Sequence, residues 1–190
     1  MKYYQTDFLA RPPKLERESV KLFLSSVPIY ILKDDYALLF GLLKRFMRPD
    51  GWILIDAPAG YRDYTINLDN IGRAVGWKLS SRMHLLPKFY KPDEDQIIYV
   101  HYNTSAHVNQ IMSQFRYRKI QVARQREMAH PCEFCPDVIR LLIDAYSDEG
   151  DIVLDPFCGT GTVPGEADAM GRHGIGCDLR PYENIRNEYL

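Results

Sequence analysis

Apolar residues in this chain fall into short runs that alternate with stretches of helical spacing, and Gly, Pro and Asp mark the joints between them. Runs at 22–24, 52–55, 79–85, 97–101, 152–154 and 174–177 predict strands, and recurrence near 3.6 residues at 36–46, 67–75, 137–146 and 165–170 predicts helices. Strands alternating with helices build a mostly parallel sheet covered on both faces, so the expected class is α/β. Within 137–146, Val138, Leu141, Leu142 and Ala145 recur on one face and are expected to point into the core.

The run 152–154 stops at Asp155-Pro156-Phe157-Cys158-Gly159-Thr160-Gly161-Thr162 and opens onto a helical segment. Glycines at such a turn let a ligand approach the main chain, where a helix N-terminus offers unpaired N–H groups. A second run, 173–177, closes at Asp178, the spacing at which Rossmann-like units set a carboxylate against ribose hydroxyls. Glycine loop and acidic strand end together point to an adenosine-containing ligand. A triphosphate site requires Gly-Lys-Ser/Thr, and here Thr162 and Val163 follow Gly161. A dinucleotide fingerprint requires a third glycine, and Pro164 stands in its place.

With 190 residues, 46% of them apolar, the chain reads as one globular domain able to bury a full core. It contains no apolar run of membrane-spanning length, and Met1-Lys2-Tyr3-Tyr4-Gln5-Thr6-Asp7 lacks a secretory apolar region, so a soluble, cytoplasmic protein is expected. Of the 4 cysteines, Cys132 and Cys135 have the spacing of half a zinc site. Cys158 lies inside the glycine loop and Cys177 on a strand, where a zinc ion would occupy the ligand pocket. Free thiols and no metal are expected.

The stretch 130–190 begins His130-Pro131-Cys132-Glu133-Phe134-Cys135-Pro136. It runs through Asp155-Pro156-Phe157-x-Gly159-x-Gly161-Thr162 to Gly171-Arg172-x-x-Gly174-Ile175-Gly176, and it resembles the C-terminal half of permuted, β-type DNA amino-methyltransferases. Those enzymes move a methyl group from S-adenosylmethionine to an exocyclic amine of adenine or cytosine. The resemblance implies a Rossmann-like methyltransferase fold with a catalytic half at 1–101, a short insert at 102–129 and a cofactor half at 130–190. It implies a cofactor site at Asp155, Pro156, Phe157, Gly159, Thr160, Gly161 and Asp178, with His130 on its rim. It also supports an added strand at Tyr3-Tyr4-Gln5 beside the cofactor half, with Asp7 near the adenine. The segment from His130 departs from the family's His-Pro-x-Glu-Lys-Pro type by one extra residue and the loss of the lysine.

At the catalytic end the family carries Asp, Asn or Ser before Pro-Pro-Tyr. The polar side chain and the first proline's carbonyl take the amine hydrogens, and the aromatic ring stacks on the flipped base. The matching residues here are Ser25-Ser26-Val27-Pro28-Ile29-Tyr30. Without a gap, Ser26 takes the polar position and Ile29 the aromatic one; a shift of one residue restores Pro28 and Tyr30 but sets Val27 at the polar position. The reading adopted is Ser26 as acceptor with Pro28 beside it and Tyr30 stacking, against an ordinary strand end with a proline turn. Loss of one amine hydrogen bond is worth about 1–3 kcal/mol, roughly ten- to a hundredfold in rate. A serine at the polar position resembles the cytosine-N4 members more than the adenine-N6 ones.

Charge balance, 24 basic against 25 acidic residues, says nothing about nucleic acid, but its distribution does. No acidic residue occurs between His101 and Arg126, while Arg116, Arg118, Lys119, Arg124 and Arg126 interleave with Phe115 and Tyr117. This pattern suits a phosphate backbone with aromatic groups near bases, and it falls in the family's target-recognition insert. The expected partner is double-stranded DNA, with a homodimer or a separate specificity partner compensating for so short an insert. Two rivals stay open: a catalytically silent DNA-binding subunit and an RNA amino-methyltransferase.

Overall fold

The computed structural model describes residues 1–28, 31, 35–58, 77–85, 96–103 and 136–181. In chain order these form β1 (Lys2–Gln5), β2 (Val20–Ser26), α1 (Tyr36–Phe46), β3 (Met47–Pro58), β4 (Trp77–Leu85), β5 (Gln96–Asn103), α2 (Pro136–Tyr146), β6 (Ile152–Asp155), α3 (Thr162–Ala169) and β7 (His173–Asp178). The strands make one 7-stranded sheet in the order β1-β7-β6-β2-β3-β5-β4. β1, β7, β6, β2 and β3 run parallel. β5 is antiparallel to both β3 and β4. Every predicted strand that falls on described residues is present, including the N-terminal one, which pairs with β7 through Tyr4 and Cys177. The helix predicted at 67–75 lies outside the described residues.

Strand alternation sends successive side chains to opposite faces. On one face Phe23, Ile53, Ile55, Leu154 and Ile175 pack under α1 through Leu39, Phe40, Leu43 and Phe46. On the other Leu22, Leu24, Leu54 and Val153 pack under α2 and α3 through Val138, Ile139, Leu142, Ile143 and Val163. The expectation for α2 needs one correction: Leu141 is 40% exposed, and Ile139, Ile143 and Tyr146 are buried instead. Ala145 packs at the edge of that core. Two stripes rotated by one residue share the same 3.6-residue period in this segment, and only the position of the sheet chooses between them.

α1 ends with Lys44 and Arg45 in its last turn, suitably placed for the negative end of the helix dipole, and Met47 turns extended to start β3 directly. α3 starts at Thr162, earlier than the predicted 165. Its N-cap Gly161 takes a left-handed φ of 79°, and Pro164 is accommodated in the first turn, where no helical N–H is required. α3 lies directly on β7: a Cβ added at Gly174 would stand 1.9 Å from the Pro164 carbonyl oxygen. That close approach fixes the helix whose N-terminus faces the glycine loop. No helix among the described residues is long and apolar enough to cross a membrane.

Candidate active site at the strand ends

Three parallel strands carry a carboxylate at the same end of the sheet: β6 closes on Asp155, β7 on Asp178, and β3 bears Asp56 two residues before its end. Between β6 and β2 the order of connection reverses. The chain passes from β6 to β7 on one side and from β2 to β3 on the other, and the crevice at such a switch point is where open α/β sheets take ligands. Ser25, the buried residue before the tip of β2, donates its hydroxyl to Asp155 Oδ1 at 2.6 Å across that crevice. The same oxygen accepts the Phe157 backbone N–H at 3.1 Å.

A cavity of about 520 Å³ opens beside these strand ends. That volume suits a nucleoside-sized ligand. Thr6, Asp7 and Phe8 line it from the segment after β1, Pro28 and Ile31 from the segment after β2, Pro156 and Phe157 from the glycine loop, and Asp178, Leu179 and Arg180 from the end of β7. Asp7, Asp35 and Asp178 oppose the single guanidinium of Arg180 among the lining residues, a balance that favours a ligand bearing positive charge. Phe8 and Phe157 meet edge-on with centroids 6.5 Å apart and supply an apolar wall.

The acidic groups are held in place before any ligand arrives. Asp178 Oδ2 accepts the Gly159 N–H at 3.0 Å, and Oδ1 accepts the Arg180 N–H at 2.9 Å and Nε at 3.3 Å. Asp7 Oδ1 caps the following turn by accepting the N–H groups of Leu9 and Ala10. The Tyr3 hydroxyl donates to the Arg180 carbonyl, tying β1 to the chain beyond β7. A side chain at Gly159 would meet only Arg180 Nη2, at 3.8 Å, so the loop leaves open space at that point.

Of the residues singled out from the sequence, Asp7, Pro28, Pro156, Phe157 and Asp178 line one cavity. Asp155, Gly159, Thr160 and Gly161 are not in its lining and form the turn that carries Phe157. Thr160 and Thr162 hydroxyls pair at 2.9 Å within it. Ser26 is exposed at the tip of β2, where its register partner on β3 is Asp56. Tyr30, His130, Arg116, Tyr117, Arg118, Lys119, Arg124 and Arg126 lie outside the described residues, as do Cys132 and Cys135. Cys158 and Cys177 are free, buried thiols that burial pushes well above the ordinary thiol range.

Burial pushes Asp155 up to about 7, against the hydrogen bonds from Ser25 and the Phe157 N–H. Asp56 is likewise pushed up to about 7 by burial, with the neighbouring Ser26 hydroxyl acting in the opposite direction. Sequence reasoning passed over Ser25, Asp56 and Arg180. A readable signal existed for Asp56, since the apolar run 52–55 closes on a carboxylate just as 152–154 and 174–177 do.

The profile of a family described as DNA methylase matches residues 77–187, more than half of the chain. A tRNA (guanine(10)-N2)-dimethyltransferase from Methanocaldococcus jannaschii is 47% identical over 55 residues, 28% of this chain and 16% of that protein. The type II methyltransferase M.HpaI from Haemophilus parainfluenzae is 34% identical over 77 residues, 40% of this chain and 24% of that protein. The matches thus span at most about a quarter of these relatives' lengths. Among solved structures, the PvuII cytosine-N4-specific DNA methyltransferase superposes with a TM-score of 0.81 at 16% identity, over 99% of this chain and 86% of that one. The M1.HpyAVI complex with S-adenosylmethionine gives 0.75 at 16% identity, over 100% and 99%. At such identities the superpositions establish the fold, a Rossmann-like methyltransferase sheet. The profile match over most of the C-terminal part, on a sheet whose strand ends carry the acidic cavity and glycine loop described above, places this chain in the DNA methylase family.

Proposed function

We propose that the protein is an S-adenosylmethionine-dependent methyltransferase acting on an exocyclic amine of a DNA base. The observation that carries this reading is the cavity at the strand ends, in which the Asp7 and Asp178 carboxylates and the Phe157 ring meet Pro28 from the loop after Ser26. The residues present fit the cofactor. Asp178 offers a fixed carboxylate to ribose hydroxyls, Phe8 and Phe157 offer apolar surface to an adenine, and the acidic excess suits a sulfonium cation. When bound, the cofactor supplies an electrophilic methyl group to the amine nitrogen and leaves as a neutral thioether.

The chain's own task is to orient the amine and exclude water. Ser26, exposed beside the cavity mouth at Pro28, serves as the hydrogen-bond acceptor for the amine, and Tyr30 serves as the stacking partner. The segment 102–129, with Arg116, Tyr117, Arg118, Lys119, Arg124 and Arg126, serves as the contact to duplex DNA in this reading, and His130 borders the methionine end of the cofactor. Cytosine N4 is the favoured target because the acceptor is a serine. A second subunit or a separate specificity protein extends the recognition surface, and the working compartment is the cytoplasm.

The test is transfer of labelled methyl from S-adenosylmethionine to unmethylated genomic DNA and, in parallel, to total RNA, with nucleosides resolved by mass spectrometry and Asp178→Ala as control. Label in N4-methylcytosine or N6-methyladenine supports the proposal. Label confined to RNA, or cofactor binding with no transfer to either, refutes it.

A further inference from the structure

Among the described residues that line the cavity, Arg180 brings the one cation, and Asp7, Asp35 and Asp178 are the other charged groups. Its main chain is fixed on both sides. The Arg180 N–H donates to Asp178 Oδ1 at 2.9 Å, and the Arg180 carbonyl accepts the Tyr3 hydroxyl. The Gly159 N–H holds the other oxygen of Asp178, Oδ2, at 3.0 Å. Backbone groups thus already set both oxygens of this carboxylate. The bond from Arg180 Nε, at 3.3 Å, is the longest of the three and adds little to its position, since the side chain is 44% exposed. Holding Asp178 does not account for the guanidinium. Its Nη2 instead reaches over the glycine loop, 3.8 Å from where a Cβ on Gly159 would stand. In the sheet order β1-β7-β6-β2, that carries the positive charge from the end of β7 toward the end of β6 and the crevice beyond it.

A guanidinium weakens the attraction of an acidic cavity for a ligand that is purely cationic, and it favours one that also carries an anion. S-adenosylmethionine has a sulfonium, an ammonium and a single carboxylate. The acidic wall suits the two cations, and brought against that wall without a counter-charge the carboxylate would be repelled. We propose that Arg180 is a specificity-determining residue of the cofactor site: its guanidinium takes the carboxylate of the cofactor's amino-acid arm. The planar guanidinium matches a carboxylate with two parallel N–H bonds, a geometry that lysine does not reproduce. The inference rests on the methyl-transfer reading above and deepens it, because it names the side chain that reads the amino-acid end of the cofactor while Asp178 reads the ribose.

Calorimetric titration of the full chain with S-adenosylmethionine and with its decarboxylated form tests this without turnover, since the two ligands differ by the carboxylate alone. The wild-type protein binds S-adenosylmethionine more tightly by about tenfold, the worth of one partly exposed charge-assisted pairing. Arg180→Gln removes that preference by weakening S-adenosylmethionine alone. Its unchanged or tighter binding of the decarboxylated ligand shows that the variant is folded and its cavity intact. Arg180→Lys keeps only part of the preference. A wild-type protein that binds both ligands equally overturns the inference, as does an Arg180→Gln variant that keeps the preference. An equal loss for both ligands in Arg180→Gln also overturns it, because the side chain then acts only through Asp178. A wild-type protein that binds neither ligand overturns the methyl-transfer reading, and the role of Arg180 with it.

Discussion

The buried Asp155 makes folding stability depend on pH in a direction opposite to that of a salt-bridged carboxylate. Its pKa is pushed up to about 7 by burial, whereas in the unfolded chain a carboxyl titrates near ~3.9. The native state therefore retains a proton that the unfolded chain has already lost. The stability this group contributes is full below about pH 4 and declines as pH rises through 7, with little further change above. Replacing it by Asn removes the titration while keeping an oxygen for the Ser25 hydroxyl and the Phe157 N–H. Integrating the linkage relation between pH 5 and pH 8 gives a gain for Asp155→Asn over wild type that is larger at pH 8 by about 3 kcal/mol. With an m-value of roughly 1–3 kcal/mol/M, that is about 1–3 M in the urea midpoint. The assay is urea unfolding followed by tryptophan fluorescence for both proteins at both pH values. An equal midpoint difference at pH 5 and pH 8 would refute the reasoning, since it would mean that Asp155 is ionised in the folded protein throughout.

Asp178→Ala weakens S-adenosylmethionine binding by about 10- to 100-fold in calorimetry, through loss of the carboxylate that Gly159 and Arg180 hold at the cavity wall. Gly174→Ala drives a methyl group to 1.9 Å from the Pro164 carbonyl and lowers stability by about 1–3 kcal/mol or more, visible as a lower melting temperature. On α2, Leu142→Ala costs about 2–5 kcal/mol in chemical denaturation, while Leu141→Lys stays within about 0.5 kcal/mol of wild type. Comparable losses at the two positions would mean that the helix is rotated from the orientation described.

The alternation of apolar runs with helical spacing was enough to determine the class of fold, because period two and period 3.6 are local properties of the chain. The glycine loop and the acidic end of 174–177 were legible for the same reason: Gly161 requires a left-handed turn, and a charge closing an apolar run marks a strand end. Sequence alone could not choose which of two adjacent stripes of α2 faces the sheet, since Leu141 and Ile139 fit the same period and only the neighbouring strands decide. Nor could it show that Ser25 bonds a carboxylate 130 residues away while the adjacent Ser26 stands in register with one 30 residues away, on opposite sides of β2. Parallel pairing set those partners, through the register that puts Ser26 beside Asp56 and brings β6 to the other edge of β2. The raised pKa values belong wholly to the tertiary structure, because desolvation arises from the packing of residues remote in sequence and no local pattern encodes it.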